Sequence, residues 1–464
     1  MLPGISTAIA DTQERPVGFG DLVEKVKPAV VSVRVKMQEG AEMMGFDGGR
    51  DMPNIEPGSP AERFFRRFGL PQDMQPSRPN RHFAMGQGSG FFITADGYAI
   101  TNNHVVEKAG EVEVKTDDGK SYSAKVIGTD PKTDLALIKV EGRSDFPFVK
   151  LAEKTPRIGD WVVAVGNPFG LDGSVTAGIV SARGRDIGAG PYDDFIQIDA
   201  PVNKGNSGGP SFDVNGNVIG VNTAIFSPSG GSVGIAFAIP ADTVKTVVAQ
   251  LRDKGAVTRG WIGVQIQPVT DEMTEALGLK TAEGALVAEV QPNSPAAKAG
   301  MASGDVITSV NGQQVKDAHE LVRMIGAMAP QSSAKLTVMR KGKEQPVSVT
   351  LGELPKERQA QAAPAEQKKA EKAPLGLTLA PAGSVAGAGT EGVVVAEVRP
   401  DGPAAERGMK AGDVILDVGG TLVSTPADVK KVLGEARAAN KSNVLMRIKS
   451  GEATRFVVLP TGNA

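Results

Sequence analysis

The 464 residues contain no cysteine, which excludes disulfide frameworks, thiol nucleophiles and thiolate metal sites. Histidine is almost as scarce: three residues, at positions 82, 104 and 319, are too few for a histidine metal cluster, so neither a metal nor another cofactor is expected. Neither sign of charge dominates, with 51 Lys and Arg against 53 Asp and Glu, so nothing marks nucleic acid or an anionic membrane as a partner. No apolar run approaches the roughly 18 residues of a membrane span, and no transmembrane segment is expected. A phosphate-cradling Gly-x4-Gly-Lys-Ser/Thr loop is also missing, so any chemistry is expected to be ATP-independent. Aromatics are sparse, at 5% of the chain, whereas glycine is plentiful, at 57 residues.

What the chain has in place of these is short Val- and Ile-rich runs bounded by Gly, Asn and Asp, the signature of a mainly β protein. The length predicts two to four domains. Residues 1–18 read as a tail in which Ala8-Ile9-Ala10 fits the end of an export signal. Residues 19–255 read as successive strands closed by the helical stretch "ADTVKTVVAQLRDKG", and they are interrupted by a Gly-, Pro- and Met-rich insertion over 38–87 in which "SPAERFFRRFG" could form a short helix. Residues 353–373, with almost nothing to bury, read as a linker between two copies of one unit, 259–352 and 374–464. The copies align without gaps from Gly284 and Gly392, at a shift of 108 residues.

Three motifs of the first region carry chemistry: "TNNHVV" with His104, "TDLALIKV" with Asp134, and "GNSGGP" with Ser207. Each alone has an ordinary structural reading. Together they supply what a serine hydroxyl needs to act as a nucleophile, namely a base to take its proton and a carboxylate to fix and stabilise that base. The order His, Asp, Ser is that of chymotrypsin-like double β-barrels. It excludes the hydrolase elbow that Gly205-Asn206-Ser207-Gly208-Gly209 also matches, because there the histidine comes last. The N–H groups of Gly205 and Ser207 are the expected oxyanion donors. In a trypsin-like pocket an acidic residue lies six positions before the serine; here that position is Pro201, with Asp199 two residues earlier, so basic cleavage sites are not favoured.

These motifs resemble the HtrA (high-temperature-requirement) serine proteases of the Do-like or DegP branch, and the two tail copies resemble PDZ domains, small partly open α+β barrels. The resemblance covers nearly the whole chain. It implies a periplasmic enzyme that degrades misfolded or unfolded proteins, works as homo-oligomers (trimers and larger assemblies) and possesses chaperone activity as well. The insertion 38–87 is similar to the loop that reaches a neighbouring subunit in that family, although the cysteine pair often found there is missing. "SARGRDIG" is similar to the sensor loop, with Arg185 at the relaying arginine. "IFSPSGGSVGIAFAIP" is similar to the specificity loop, which implies cleavage after small aliphatic residues and a pocket built from Ile225, Ile235, Ala236 and Phe237. PDZ domains bind hydrophobic C-terminal peptides through a hydrophobic-Gly-hydrophobic loop and an adjoining sheet edge. Trp261-Ile262-Gly263-Val264 fits in the first copy and Leu375-Gly376-Leu377 in the second, where Pro374 lacks a backbone donor and weakens the expected site. His319 is expected to face solvent.

Overall fold

The computed structural model describes residues 18–37, 85–107, 109–168, 173–228, 231–355, 371–384, 391–439, 441–451 and 453–461. The N-terminal tail before residue 18, the stretch "SPAERFFRRFG" with nearly all of the insertion, and residues 356–370 lie outside them. The chain divides into two compact units, Met1–Val257 and Thr258–Ala464.

In the first unit, α1 (Gly20–Val26) leads into β1 (Val30–Met37), followed by β2 (Met85–Phe92), β3 (Tyr98–Thr101), α2 (Asn103–Val106), β4 (Ala109–Lys115), β5 (Ser121–Asp130) and β6 (Leu135–Val140). These six strands close a barrel in the order β1-β2-β3-β6-β5-β4. Alternation drives it: Val31, Val33 and Val35 of β1 point into one cluster with Val112, Val114 and Ile138. A second set comprises β7 (Lys150–Leu151), β8 (Trp161–Gly166), β9 (Ser174–Arg185), β10 (Phe195–Ile198), β11 (Pro210–Phe212), β12 (Asn217–Ile225) and β13 (Ala236–Pro240). It runs β11-β8-β9-β10-β13-β12, and the β11–β12 pairing closes it as a second six-stranded barrel, with β7 added in parallel to β12.

The chain then enters α3 (Ala241–Lys254), whose Val244, Val247, Val248 and Leu251 are buried at helical spacing and whose end is set by Gly255 at φ 71°. This helix packs back on β5 and β6 of the first barrel as well as on β12 and β13 of the second. The approach is close: a Cβ on Gly128 of β5 would lie 2.3 Å from the Gly255 carbonyl oxygen.

The second unit holds the two repeated copies. The first has β14 (Gly260–Trp261), β15 (Val264–Pro268), α4 (Asp271–Leu277), β16 (Ala285–Val290), α5 (Pro295–Lys298), β17 (Val306–Val310), β18 (Gln313–Gln314), α6 (Ala318–Ala327), β19 (Ser333–Arg340), β20 (Lys343–Thr350) and β21 (Gly352–Glu353). The second has β22 (Glu371–Ala373), β23 (Leu377–Pro381), β24 (Val393–Val398), α7 (Pro403–Glu406), β25 (Val414–Val418), β26 (Thr421–Leu422), α8 (Pro426–Ala438), β27 (Asn443–Ser450) and β28 (Ala453–Pro460). Over the ungapped stretch the elements coincide at the 108-residue shift, β16 with β24, α5 with α7 and β17 with β25. β22 begins in the segment whose composition reads as linker; a backbone ladder requires no apolar side chain, so composition does not exclude it. His319, expected at the surface, is half-buried near the start of α6.

Candidate active site

Asp134, the turn residue immediately before β6, has a left-handed conformation, at φ 55°. Two asparagines hold it there: the Asn103 N–H and the Asn102 side-chain amide donate to the Asp134 carbonyl oxygen at 3.1 and 2.8 Å. The carboxylate is thereby turned to α2, where Oδ1 accepts the His104 backbone N–H at 2.9 Å and Oδ2 lies 2.7 Å from His104 Nδ1. Thr223 Oγ1, from β12, donates to the same Oδ2 at 2.5 Å. With Nδ1 committed to a carboxylate, the neutral imidazole carries its proton there and leaves Nε2 free to act as a base. Burial opposes the charged imidazolium, but the hydrogen bond and charge of Asp134, with a smaller contribution from Glu107, outweigh it and hold His104 above its usual pKa.

Ser207 sits on the loop between β10 and β11, and its hydroxyl faces the Thr223 carbonyl oxygen at 3.4 Å. Thr223 thus touches both Ser207 and Asp134. The loop begins with a turn across Asn203–Asn206, closed by the Asn206 N–H on the Asn203 oxygen at 3.0 Å. Its third residue, Gly205, has φ 96°, which makes the turn type II; in a type I turn the Lys204–Gly205 peptide would be rotated by about half a turn and its N–H would face the other way. A side chain at 205 is also excluded sterically, because its Cβ would lie 2.5 Å from Pro168 Cβ.

The first barrel grips this loop through Ser89 of β2. The Ser89 N–H donates to the Ser207 carbonyl oxygen at 2.8 Å, and its hydroxyl donates to the Gly205 carbonyl oxygen at 2.6 Å while accepting the Asn167 N–H at 2.8 Å. Ser89 is fully buried. Neither Thr223 nor Ser89 is singled out by the motifs; the only signals are "VNTAI" and "GQGSGFF", which also read as ordinary strand text.

The four pocket candidates do not share a face, which corrects the expectation of one pocket. Ile225 pairs with Ala236, and both pack on the cluster around Ile196 and Ile198. Ile235 and Phe237 pack on the opposite side, where the Phe237 ring meets Phe195 edge-on with 6.3 Å between centroids. Strand alternation separates them. The connection between β12 and β13 is tied to the serine loop by the Ser232 N–H on Asn203 Oδ1 at 3.0 Å. Asp199 is occupied in accepting the Ile179 N–H at 2.6 Å, and Arg185, at the end of β9, donates from Nε to Gln197 Oε1 at 2.9 Å.

In the second unit, Gly263 lies between β14 and β15 at φ 78°, and its Cβ would come within 2.3 Å of Ser294 Cβ, so only glycine fits. Trp261 is half-buried beside it, Ile262 is buried, and Val264 begins β15. The corresponding bond recurs in both copies: the Gln291 N–H donates to the Gly263 carbonyl oxygen at 2.9 Å, and the Arg399 N–H to that of Gly376 at 2.8 Å. Leu375 and Leu377 are both buried. Among the described residues no group of side chains is placed to hold a metal ion, and no helix is long and apolar enough to cross a membrane.

Two closed antiparallel barrels that meet around a glycine-turned serine make the first unit a chymotrypsin-like serine endopeptidase. Residues 88–221 match the trypsin-like peptidase domain, and residues 260–351 and 370–455 match the PDZ domain. Probable periplasmic serine endoproteases described as DegP-like are 49% identical in Brucella melitensis, over 98% of this chain and 91% of that protein, and 47% identical in Rhizobium meliloti, over 95% and 91%. Among solved structures, the HtrA-type protease AlgW with a decapeptide aligns with a TM-score of 0.58 at 35% identity, covering 74% of this chain and 100% of that one. A serine endoprotease from Yersinia pestis aligns at 0.51 and 30% identity, covering 74% and 100%. The chain belongs to the HtrA family, as a DegP-like periplasmic serine endoprotease with two PDZ domains.

Proposed function

We propose that Ser207 is the nucleophile, His104 the general base and then acid, and Asp134 the residue that fixes and stabilises the imidazolium. Ser207 Oγ attacks the scissile carbonyl as its proton passes to His104 Nε2; the oxyanion is met by the N–H groups of Gly205 and Ser207; the proton then goes to the leaving amine, and water repeats the sequence on the acyl-enzyme. The observation that carries this reading is the Asp134 carboxylate bracketed by His104 and Thr223, with the Ser207 hydroxyl on the other side of Thr223. The substrates are misfolded or unfolded proteins of the cell envelope, cut after small aliphatic residues, with the half-buried Ile225 at one wall of the pocket and the fully buried Ala236 behind it. The compact units and family matches support a protease domain over 19–255 and PDZ domains over 259–352 and 374–464.

The PDZ loops at Gly263 and Gly376 take hydrophobic C-terminal peptides, and occupancy raises protease activity through Arg185 in homo-oligomers of trimer size or larger, which also hold clients as a chaperone. Casein cleavage by the full chain and by Ser207→Ala tests the protease reading: cleavage should vanish in the variant, and equal rates would overturn the assignment.

A further inference from the structure

The two copies treat the same groove differently. In the first copy β15 is an outer strand: it pairs with β16 on one side, α6 lies alongside, and the strand preceding the Gly263 loop, β14, is directed elsewhere to pair with β21. Among the described residues β15 has no second strand partner, and an outer strand of this kind can accept an extended peptide. In the second copy the sheet continues one strand further. The chain reverses through Pro374–Gly376, and β22 lies antiparallel to β23, with Glu371 opposite Leu379, Lys372 opposite Thr378 and Ala373 opposite Leu377. The helix α8 packs against both β22 and β23. Leu375 makes the reversal at φ 69°, a left-handed conformation that costs about 1 kcal/mol or more in a non-glycine residue and that Ile262, its counterpart, does not adopt.

The segment Glu371–Ala373 runs toward the Gly376 loop, which is the direction of a peptide whose carboxylate is caught by that loop. We propose that β22 is a tethered ligand. It occupies in cis the edge of β23 that a free C-terminal peptide would use, so that each chain presents one open peptide site, on the first copy, and the second opens only when β22 is released. This rests on the reading above that both loops recognise C-terminal peptides. Tethering makes the competition unequal: a segment joined by a short connection has an effective concentration on the order of millimolar, which a micromolar peptide does not overcome.

The test is a calorimetric titration of the full chain carrying Ser207→Ala, which spares the ligand, with a synthetic decapeptide ending in a free hydrophobic carboxylate. One peptide per chain is expected, and Gly263→Val should reduce this to none. Ladder hydrogen bonds alternate along a strand, so both Lys372→Pro and the pair Glu371→Pro with Ala373→Pro are needed; at least one should raise the stoichiometry to two, or from none to one when Gly263→Val is present. Faster amide exchange over residues 377–380, with the thermal transition of the second unit retained, would accompany release. Two peptides bound per chain before any change in β22 would overturn the proposal without recourse to the proline variants. So would a stoichiometry fixed at one in both sets once exchange shows β22 released. Absence of binding in every variant would instead overturn the peptide reading of the loops, and this inference with it.

Discussion

Asp134 engages His104 at two points and Thr223 at a third, and a carboxylate so bracketed can neither rotate nor release the imidazole. Asp134→Asn should leave the fold intact and lower kcat on the order of 10⁴-fold, because an amide that presents its NH2 to Nδ1 selects the wrong tautomer; single-turnover acylation measures it. The raised pKa of His104 has opposite signs for activity and stability. In the general-base role proposed for it the ring must be neutral, so the acid limb of kcat/KM should inflect above the ordinary value of about 6.5. The stabilisation from the protonated ring is complete below that unfolded-state value and is lost as pH rises through the folded one, the interval in which activity appears. An inflection at or below 6.5 in a pH–rate profile would contradict both. Ser89 acts through the backbone: Ser89→Ala strands the Gly205 oxygen and the Asn167 N–H, and kcat should fall about tenfold, equivalent to ~1.4 kcal/mol, with KM unchanged. Affinity for a peptide boronate, which uses the oxyanion donors, should fall in parallel, whereas a purely structural defect would lower the melting temperature and leave the affinity of the folded fraction unaltered. The three motif residues were legible because histidine, aspartate and serine, in that order and each near the end of a strand, converge on a single chemistry. Ser89 and Thr223 were not, since their roles depend on the pairings of Ser89 with Gly205 and of Thr223 with Asp134, 116 and 89 residues apart in sequence.

Among the elements, α3 does the most with the least sequence. Its apolar spacing and glycine stop make it legible as a helix, but not its destination, which is set by a glycine on β5 that permits backbone contact. Emerging from the second barrel and packing on the first, it spans the two halves that contribute His104 and Ser207. Leu251 is fully buried and belongs to a cluster with Leu135, Leu137 and Ile239, drawn from both barrels. Leu251→Ala should destabilise the first unit by about 3 kcal/mol and lower activity at growth temperature before it lowers the content of folded β-structure. Chemical denaturation followed by circular dichroism, alongside peptide turnover in the same samples, would show whether activity is lost first; coincident loss would mean that the helix merely adds stability. The strand β13 illustrates the limit of motif reading: "GIAFAIP" was legible as a strand, yet a continuous apolar run conceals its two faces until the partners on each side are known. β22 is a similar case, three residues without apolar bulk that pair because their backbone has somewhere to go.

At the scale of the second unit, the repeats are not beads on a string. β15 sends Val264 and Ile266 into the core of its own copy and turns Gln265 and Gln267 to β28 of the other. Gln267 makes both bonds of a strand partner with its side chain, accepting the Phe456 N–H at 2.6 Å and donating to the Phe456 oxygen at 3.3 Å. Around it, Val269, Met273, Leu277, Leu286 and Val306 of the first copy share a buried cluster with Leu445, Phe456 and Val458 of the second. The strand proposed above to receive a peptide, β15, is therefore held on its outer face by the second copy, and loosening that hold should be felt at its edge. Phe456→Ala should cost about 3 kcal/mol in the second unit, and Gln267→Ala about 1–2 kcal/mol. Because Gln267 bonds to the backbone of Phe456 within the same cluster, the double variant should cost less than the sum of the two, by about 0.5 kcal/mol or more. Each variant should also split one thermal transition of the second unit into two and weaken peptide binding at the first copy several-fold by leaving β15 less ordered beforehand. Additive costs and an unchanged affinity, measured by calorimetry on the full chain, would mean that the copies touch without coupling and that peptide capture by the first does not depend on the second.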